Sequence, residues 1–73
     1  MTINYILIKQ NGCTITGQKE TVFDAAAEVR KTLADPFYNR NAPIKKIFLC
    51  DGQAIMEYLP SEIEDRANWQ EGR

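Results

Sequence analysis

The chain has 73 residues, of which 44% are hydrophobic and 26% charged, and its formal net charge at pH 7 is −1. This composition is typical of one small globular domain, residues 1–73, which buries only about 60% of its unfolded surface. The near-neutral charge disfavours a general nucleic-acid binder, and no apolar run reaches the ~18 residues of a membrane span. The first residues lack the basic start and the cleavage site of a signal peptide, so we expect a cytoplasmic protein.

The residue types that carry chemistry are few. The chain has two cysteines, Cys13 and Cys50, and no histidine, which does not make a four-ligand zinc site. Neither thiol has a basic partner nearby in sequence, and the acidic residues Glu62, Glu64 and Asp65 favour the start of a helix. We therefore expect no enzyme activity, catalytic residue, cofactor or metal. A Cys13–Cys50 disulfide is conceivable, but a cytoplasmic location favours two reduced thiols.

A β-hairpin is predicted over residues 3–19, because Asn11-Gly12 is a strong signal for a two-residue turn. That turn places Ile8 opposite Ile15. One face then carries Ile6, Ile8, Cys13 and Ile15, and the other carries Ile3, Tyr5, Leu7, Thr14 and Thr16. The first strand is apolar on both faces, which is typical of a central or doubly covered strand.

An amphipathic helix is predicted over residues 21–35. Thr21 is a suitable N-cap, and Asp24 stands where a capping box places its acid. The apolar stripe at three- and four-residue spacing consists of Val22, Ala25, Ala26, Val29 and Leu33. Pro36 ends the helix.

A loop is predicted over residues 36–43, which are rich in turn-forming residues. It contains Phe37, Tyr38 and Arg40. Two interpretations stay open: the aromatic rings contact a partner, or they fold back and fill one end of the core.

A second hairpin is predicted over residues 44–59, with Asp51-Gly52 as its turn. A two-residue turn places Ile47 opposite Met56 on the core face and Lys46 opposite Glu57 on the other. The opposite charges of Lys46 and Glu57 support this register.

A short helix is predicted over residues 61–70, since Ser61 and Glu64 have the spacing of a capping box. Its apolar residues Ile63 and Trp69 could cover the second face of the sheet, where Phe48 and Ile55 need shelter. The fold class is therefore α+β, ββαββ(α): a four-stranded, mostly antiparallel sheet with one main helix on one face. Two strand orders fit this pattern, a β-grasp arrangement and two hairpins lying side by side.

The function that these features favour is a small protein-binding module that occupies the surface of a partner. In size and element content the chain resembles compact single-domain inhibitors encoded by phages and mobile elements, including anti-CRISPR proteins; no motif carries the likeness. If the main helix covers Ile6 and Ile8, an apolar strip around Tyr5 either stays exposed as an interface or is closed over by Ile63 and Trp69. The candidate partner-binding residues are Tyr5, Leu7, Phe37, Tyr38, Arg40, Lys45 and Lys46.

Two alternatives remain open from the sequence. A nucleic-acid-binding domain could use the basic region Arg30–Lys46, with Phe37 and Tyr38 as stacking rings. A self-associating structural protein could form a homodimer through an exposed sheet edge or face.

Overall fold

The structure, a computed structural model, describes residues 2–69. Its strands and helices follow the predicted order, with one extra short helix after the main one. The elements are β1 (Ile3–Lys9), β2 (Thr14–Lys19), α1 (Val22–Ala34), α2 (Pro36–Asn39), β3 (Ile44–Cys50), β4 (Ile55–Tyr58), α3 (Pro60–Glu64) and a 3-10 turn (Arg66–Trp69).

The four strands form one sheet in the order β2-β1-β3-β4, and every neighbouring pair is antiparallel. The predicted α+β class and four-stranded sheet are confirmed. The two hairpins lie side by side, joined through β1 and β3. A β-grasp arrangement would instead make the first and last strands parallel neighbours, and this sheet does not have that order.

The predicted register of the first hairpin is wrong by one residue. The Lys9 N–H donates to the Cys13 carbonyl at 2.9 Å, and the Gly12 N–H donates to the Lys9 carbonyl at 3.0 Å. The turn therefore contains Gln10 as well as Asn11-Gly12, and Gly12 adopts a φ of +90°, as in a type I turn followed by a bulge. Because side chains alternate between the two faces of a strand, a slip of one residue moves every side chain of one strand to the other face relative to its partner strand.

This slip decides which face of β1 is buried. Tyr5 lies opposite Gly17 and Leu7 opposite Ile15, and this face packs under α1. The prediction that α1 covers Ile6 and Ile8 is therefore wrong. The core consists of Ile3, Tyr5, Leu7, Ala25, Val29, Ile44, Ile47, Leu49 and Ile63.

Helix α1 forms as its sequence predicts. The Thr21 hydroxyl accepts a hydrogen bond from the Asp24 N–H at 3.0 Å, which satisfies one free donor of the first turn. Ala25, Ala26 and Val29 are fully buried against the sheet. The small side chains of the two alanines allow the helix to lie close to the strands.

The segment predicted as a loop over residues 36–43 begins instead with the short helix α2. Asp35 ends α1 and also starts α2, because its carboxylate accepts a hydrogen bond from the Phe37 N–H at 2.9 Å. Pro36 occupies the first helical position, where its missing N–H and fixed φ are suited to a helix start. Pro36 therefore ends one helix and begins the next.

The second hairpin keeps its predicted faces but has a longer turn. Leu49 pairs with Met56 and Phe48 with Glu57, two residues away from the predicted register. The Asp51 carboxylate accepts hydrogen bonds from the backbone N–H groups of Gln53 and Ala54, both at 2.9 Å. These bonds stabilise a longer loop and lower the pKa of Asp51 below its ordinary value. A shift of two residues preserves the side-chain alternation.

The C-terminal segment packs beside α1, on the core side of the sheet. Ile63 is fully buried in the core, and the Trp69 ring packs edge-to-face on Tyr58 with 5.1 Å between ring centroids. The prediction that this segment covers Phe48 and Ile55 is therefore wrong.

The start and end of this segment also differ from the predicted helix 61–70. The helix begins at Pro60 with Leu59 as its N-cap, and Glu62 accepts a hydrogen bond from the Leu59 N–H at 2.8 Å. It ends at Glu64 and is followed by the 3-10 turn. Residue 70, the last of the predicted helix, lies outside the described residues.

Candidate protein-binding surfaces

Tyr5 and Leu7, the centre of the predicted exposed strip, belong to the core. Leu7 is fully buried and Tyr5 is 9% exposed, so the prediction that they form an exposed strip is wrong. The Tyr5 ring lies across the strand over Gly17, the position in β2 without a side chain. Burial under α1, followed by the nearby Glu28 carboxylate, raises the pKa of the Tyr5 hydroxyl above its ordinary value of 10.0.

Phe37, Tyr38 and Arg40 come together at the end of α2, and we call them the aromatic–arginine cluster. The Phe37 and Tyr38 rings meet edge-to-face with 5.3 Å between centroids. The Arg40 guanidinium lies 5.3 Å from the centroid of the Phe37 ring, within the range of a cation–π contact. Phe37 is 64% exposed and Tyr38 is 37% exposed. The interpretation that these rings fill the end of the core is therefore wrong for Phe37.

Hydrogen bonds between side chains and the backbone hold this cluster in place. The Asn39 side-chain amide donates to the carbonyls of Thr32, Leu33 and Asp35 at 3.1, 3.1 and 2.9 Å. These carbonyls lie at the end of α1, where the last C=O groups have no i+4 partner within the helix; those of Thr32 and Asp35 also accept from the backbone N–H groups of Asp35 and Tyr38. One amide thus ties α2 to α1, and Asp35 fixes the first turn of α2. The exposed rings therefore stand on an ordered support.

The basic residues of region Arg30–Lys46 do not form one surface. The Arg30 guanidinium faces the C-terminal segment and donates to the Ile63 carbonyl at 3.4 Å. Lys46 lies on the opposite face of the sheet, where its ammonium nitrogen is 3.4 Å from the Glu57 carboxylate. Lys45 is also exposed, at an irregularity in the pairing of β1 with β3. These residues are close in the sequence, which suggested one basic patch, but the fold places them on different sides of the sheet.

The sheet face turned away from α1 is open, and we call it the open face. None of its side chains is buried in the described part of the chain, and Ile55 is 72% exposed. The open face carries Asn4, Ile6, Ile8, Thr14, Thr16, Gln18, Lys46, Phe48, Cys50, Ile55 and Glu57.

Sequence reasoning found only part of this face. Phe48 and Ile55 were assigned to a face in need of cover, but Ile6 and Ile8 were placed under the helix. The alternation in β2 held the missing signal, because Ile15 is the only large apolar residue of that strand and must point to the core. Pairing Ile15 with Leu7 sends Ile6 and Ile8 outward.

The two cysteines are free thiols, as predicted, and stand at opposite ends of the sheet. Cys50 pairs with Asn4, whereas the Cys13 carbonyl is bonded to the Lys9 N–H. Five residues of β1 at about 3.3 Å each separate these rows by roughly 17 Å, far beyond the ~7 Å limit for a disulfide. Residues 2–69 contain no group of three or more cysteine, aspartate or glutamate side chains placed to hold a metal ion. No helix in that range is long and apolar enough to cross a membrane.

Comparison of the chain with protein-family models, with curated proteins and with solved structures found no match. The assignment of a working surface therefore rests on the geometry of the chain itself. Two surfaces stand out in that geometry: the aromatic–arginine cluster on α2 and the open face of the sheet.

Proposed function

We propose that this chain is a small, non-enzymatic protein-binding module that occupies the surface of a partner protein, with the aromatic–arginine cluster as its anchor. The observation that carries the proposal is the Phe37 ring, 64% exposed yet held between Tyr38 and Arg40. Burying an exposed phenylalanine side chain is worth about 1.5–3 kcal/mol. Tyrosine and arginine are also among the residues that dominate binding energy at protein interfaces.

The rigidity of the support favours this role. A side chain or loop that must be ordered on binding costs about 0.5–1.5 kcal/mol for each immobilised side chain. In this chain the Asp35 and Asn39 hydrogen bonds already fix the backbone of α2, and the two ring contacts already orient Phe37. The cluster would therefore bind with little further loss of conformational entropy.

The chemistry of the cluster indicates the kind of site it fits. The ring of Phe37 fits an apolar pocket on the partner, and the guanidinium of Arg40 fits a carboxylate at the rim of that pocket. A guanidinium that stacks on a ring still presents its N–H donors at its edge, where a carboxylate can accept two of them. The proposed partner is thus a protein with an acidic rim around an apolar pocket.

An inhibitor of the kind encoded by phages and mobile elements would act by such occupation, and free thiols suit a cytoplasmic location. A single-stranded nucleic acid could also stack on Phe37. The division of Arg30 and Lys46 between different sides of the sheet, and the net charge of −1, favour a protein partner. Nucleic-acid binding is an outcome that the experiment distinguishes.

The test is affinity capture from lysate of the source cell with four baits: the wild type, Phe37→Ser, Arg40→Glu and Leu59→Ser. Leu59 is an exposed apolar residue outside the cluster, 54% exposed, so its replacement is the matched control. All four baits should have the same far-UV circular dichroism, because none of the three positions is buried. We expect one protein to be captured by the wild type and by Leu59→Ser, to be lost with Phe37→Ser and to be reduced with Arg40→Glu.

Nuclease treatment of the lysate separates the two classes of partner. Capture that survives nuclease and depends on Phe37 supports the proposal. Capture that disappears with nuclease identifies a nucleic-acid ligand and overturns it. Capture that is equal with all four baits places the contact elsewhere on the molecule and also overturns it.

A further inference from the structure

The open face has an ordered pattern of side chains. Cross-strand pairing arranges it in three rows, of which the central one contains Ile6, Phe48 and Glu57. Ile8 stands in the row on one side and Ile55 in the row on the other. The apolar side chains therefore form a diagonal stripe from β1 to β4.

We propose that the open face is the contact between two copies of this chain, which pack sheet against sheet as a two-fold homodimer. The proposal goes beyond the binding function above and is independent of it, because Phe37 belongs to α2, on the other side of the molecule. Sheets that pack face to face bury such stripes about 10 Å apart.

The charges on the open face favour a second copy as its occupant. Lys46 and Glu57, the charged side chains at paired positions of this face among the described residues, are of opposite sign and lie 3.4 Å apart; the exposed Lys45 stands beside them at the bulge of β3. A two-fold axis in the interface, perpendicular to the line from Lys46 to Glu57 and through its midpoint, places Lys46 of each copy against Glu57 of the other. A surface patch that carries such a pair of opposite charges is thus its own electrostatic complement.

The size of the face fits a reversible dimer. Strands of seven, six, seven and four residues, about 4.8 Å apart with about 3.3 Å per residue, cover about 380 Å² in projection. Two copies together would hide about 760 Å² in projection, and the uneven surface of the side chains raises this towards the lower limit of ~1,000 Å² for specific interfaces. A weak, concentration-dependent dimer follows from this area.

Sedimentation equilibrium from about 1 μM to about 1 mM protein tests the proposal directly. We expect the mass of the wild type to rise with concentration from 8.4 kDa towards twice that value. Ile55→Lys should remain at the monomer mass, and it should fold because Ile55 is 72% exposed. The matched control Ala34→Lys puts the same charge at an exposed apolar residue at the end of α1, on the other side of the sheet, and should dimerise like the wild type. A wild type that stays monomeric throughout, or an Ile55→Lys that dimerises equally well, overturns the proposal.

Cys50 provides a second measurement that needs no substitution. It lies on the open face beside Ile55, whereas Cys13 is exposed at the first turn, outside that face. We expect maleimide labelling of Cys50 to slow at least several-fold as protein concentration rises through the range of the mass transition, while labelling of Cys13 stays constant. Equal behaviour of the two thiols, detected by peptide mass analysis, would place any dimer contact on another surface.

Discussion

The contact between Tyr5 and Gly17 can be tested by Gly17→Ala. The two residues face each other across β1 and β2, and the Tyr5 ring occupies the space above the glycine. A β-carbon at position 17 would overlap with the Tyr5 hydroxyl and ring carbon Cζ and would stand 2.7 Å from Cε2. Tyr5 is only 9% exposed, so its ring cannot swing out freely.

The size of the effect follows from two opposing terms. An extra methyl group in a filled site costs about 1–3 kcal/mol through displaced side chains. Alanine in a strand is favoured over glycine by about 0.5–1 kcal/mol, since glycine loses more backbone entropy on folding. Gly17→Ala should therefore lower the free energy of unfolding by about 1–2 kcal/mol. In a domain of this length each kcal/mol lowers the melting temperature by about 4–8 °C.

The assay is thermal and urea unfolding of Gly17→Ala in the wild type and in a Tyr5→Leu background. Without the ring, only the backbone term remains, and the same substitution should then stabilise the domain by about 0.5–1 kcal/mol. Thr16→Ala, next in the strand but on the open face, controls for a general response of β2. If Gly17→Ala has the same effect in both backgrounds, the ring does not occupy that space and the register argument fails.

The remaining predictions concern α1, its cap and the buried phenol. Val29→Asp puts an unpaired charge at a fully buried position and should abolish helical circular dichroism, since it costs several kcal/mol against a free energy of unfolding of about 3–5 kcal/mol. The control Lys31→Asp, at an exposed position of the same helix, should fold. Asn39→Ala removes the donor to three carbonyls and should cost about 1–2 kcal/mol in urea unfolding; it should also weaken partner capture without altering the anchoring side chains. Burial and the Glu28 carboxylate raise the pKa of Tyr5 above 10.0, so folding favours its protonated form. The stability that this preference contributes is complete below pH 10.0 and is lost as the pH rises through the folded-state pKa of Tyr5. In unfolding experiments over an alkaline pH range, Tyr5→Phe should therefore lose less stability than the wild type.

The helix α1 could be predicted almost to the residue because three local signals agree. Thr21 caps its start, the spacing of Ala25, Ala26 and Val29 defines its buried face, and Pro36 forbids its continuation. Each signal acts within one or two turns of the chain. No distant contact is needed to decide between them.

The register of the first hairpin could not be predicted from Asn11-Gly12 alone. A two-residue turn and a three-residue turn with a bulge both take a glycine with positive φ at position 12, so Gly12 fits either one. The first strand could not decide between them, because it is apolar on both faces. Only the pairing of Ile15 with Leu7 and of Gly17 with Tyr5 distinguishes the two registers.

The two candidate surfaces also differ in how well they could be predicted from the sequence. Phe37, Tyr38 and Arg40 were predicted from their place in a polar connection, and local hydrogen bonds hold them there. The open face was assigned the C-terminal segment as its cover. That expectation was wrong because Ile63 finds a fully buried site beside α1, a long-range preference that has no signature in residues 61–70 themselves.

The placement of that segment links stability to the proposed dimer. In the described residues 2–69, the two longest helices, α1 with 13 residues and α3 with five, both lie on the core side of the sheet. The stripe from Ile8 to Ile55 therefore has no cover within the described residues, and association of two copies would remove it from water. A contact made by the folded state alone stabilises that state by mass action, by about 1.4 kcal/mol for each tenfold excess of concentration over the dissociation constant. The melting temperature of the wild type and of Ala34→Lys should thus rise with protein concentration, and that of Ile55→Lys should stay constant in the same calorimetric series. A wild-type melting temperature that does not change over the range from about 10 μM to about 1 mM would show that the open face is stable in water without a second copy.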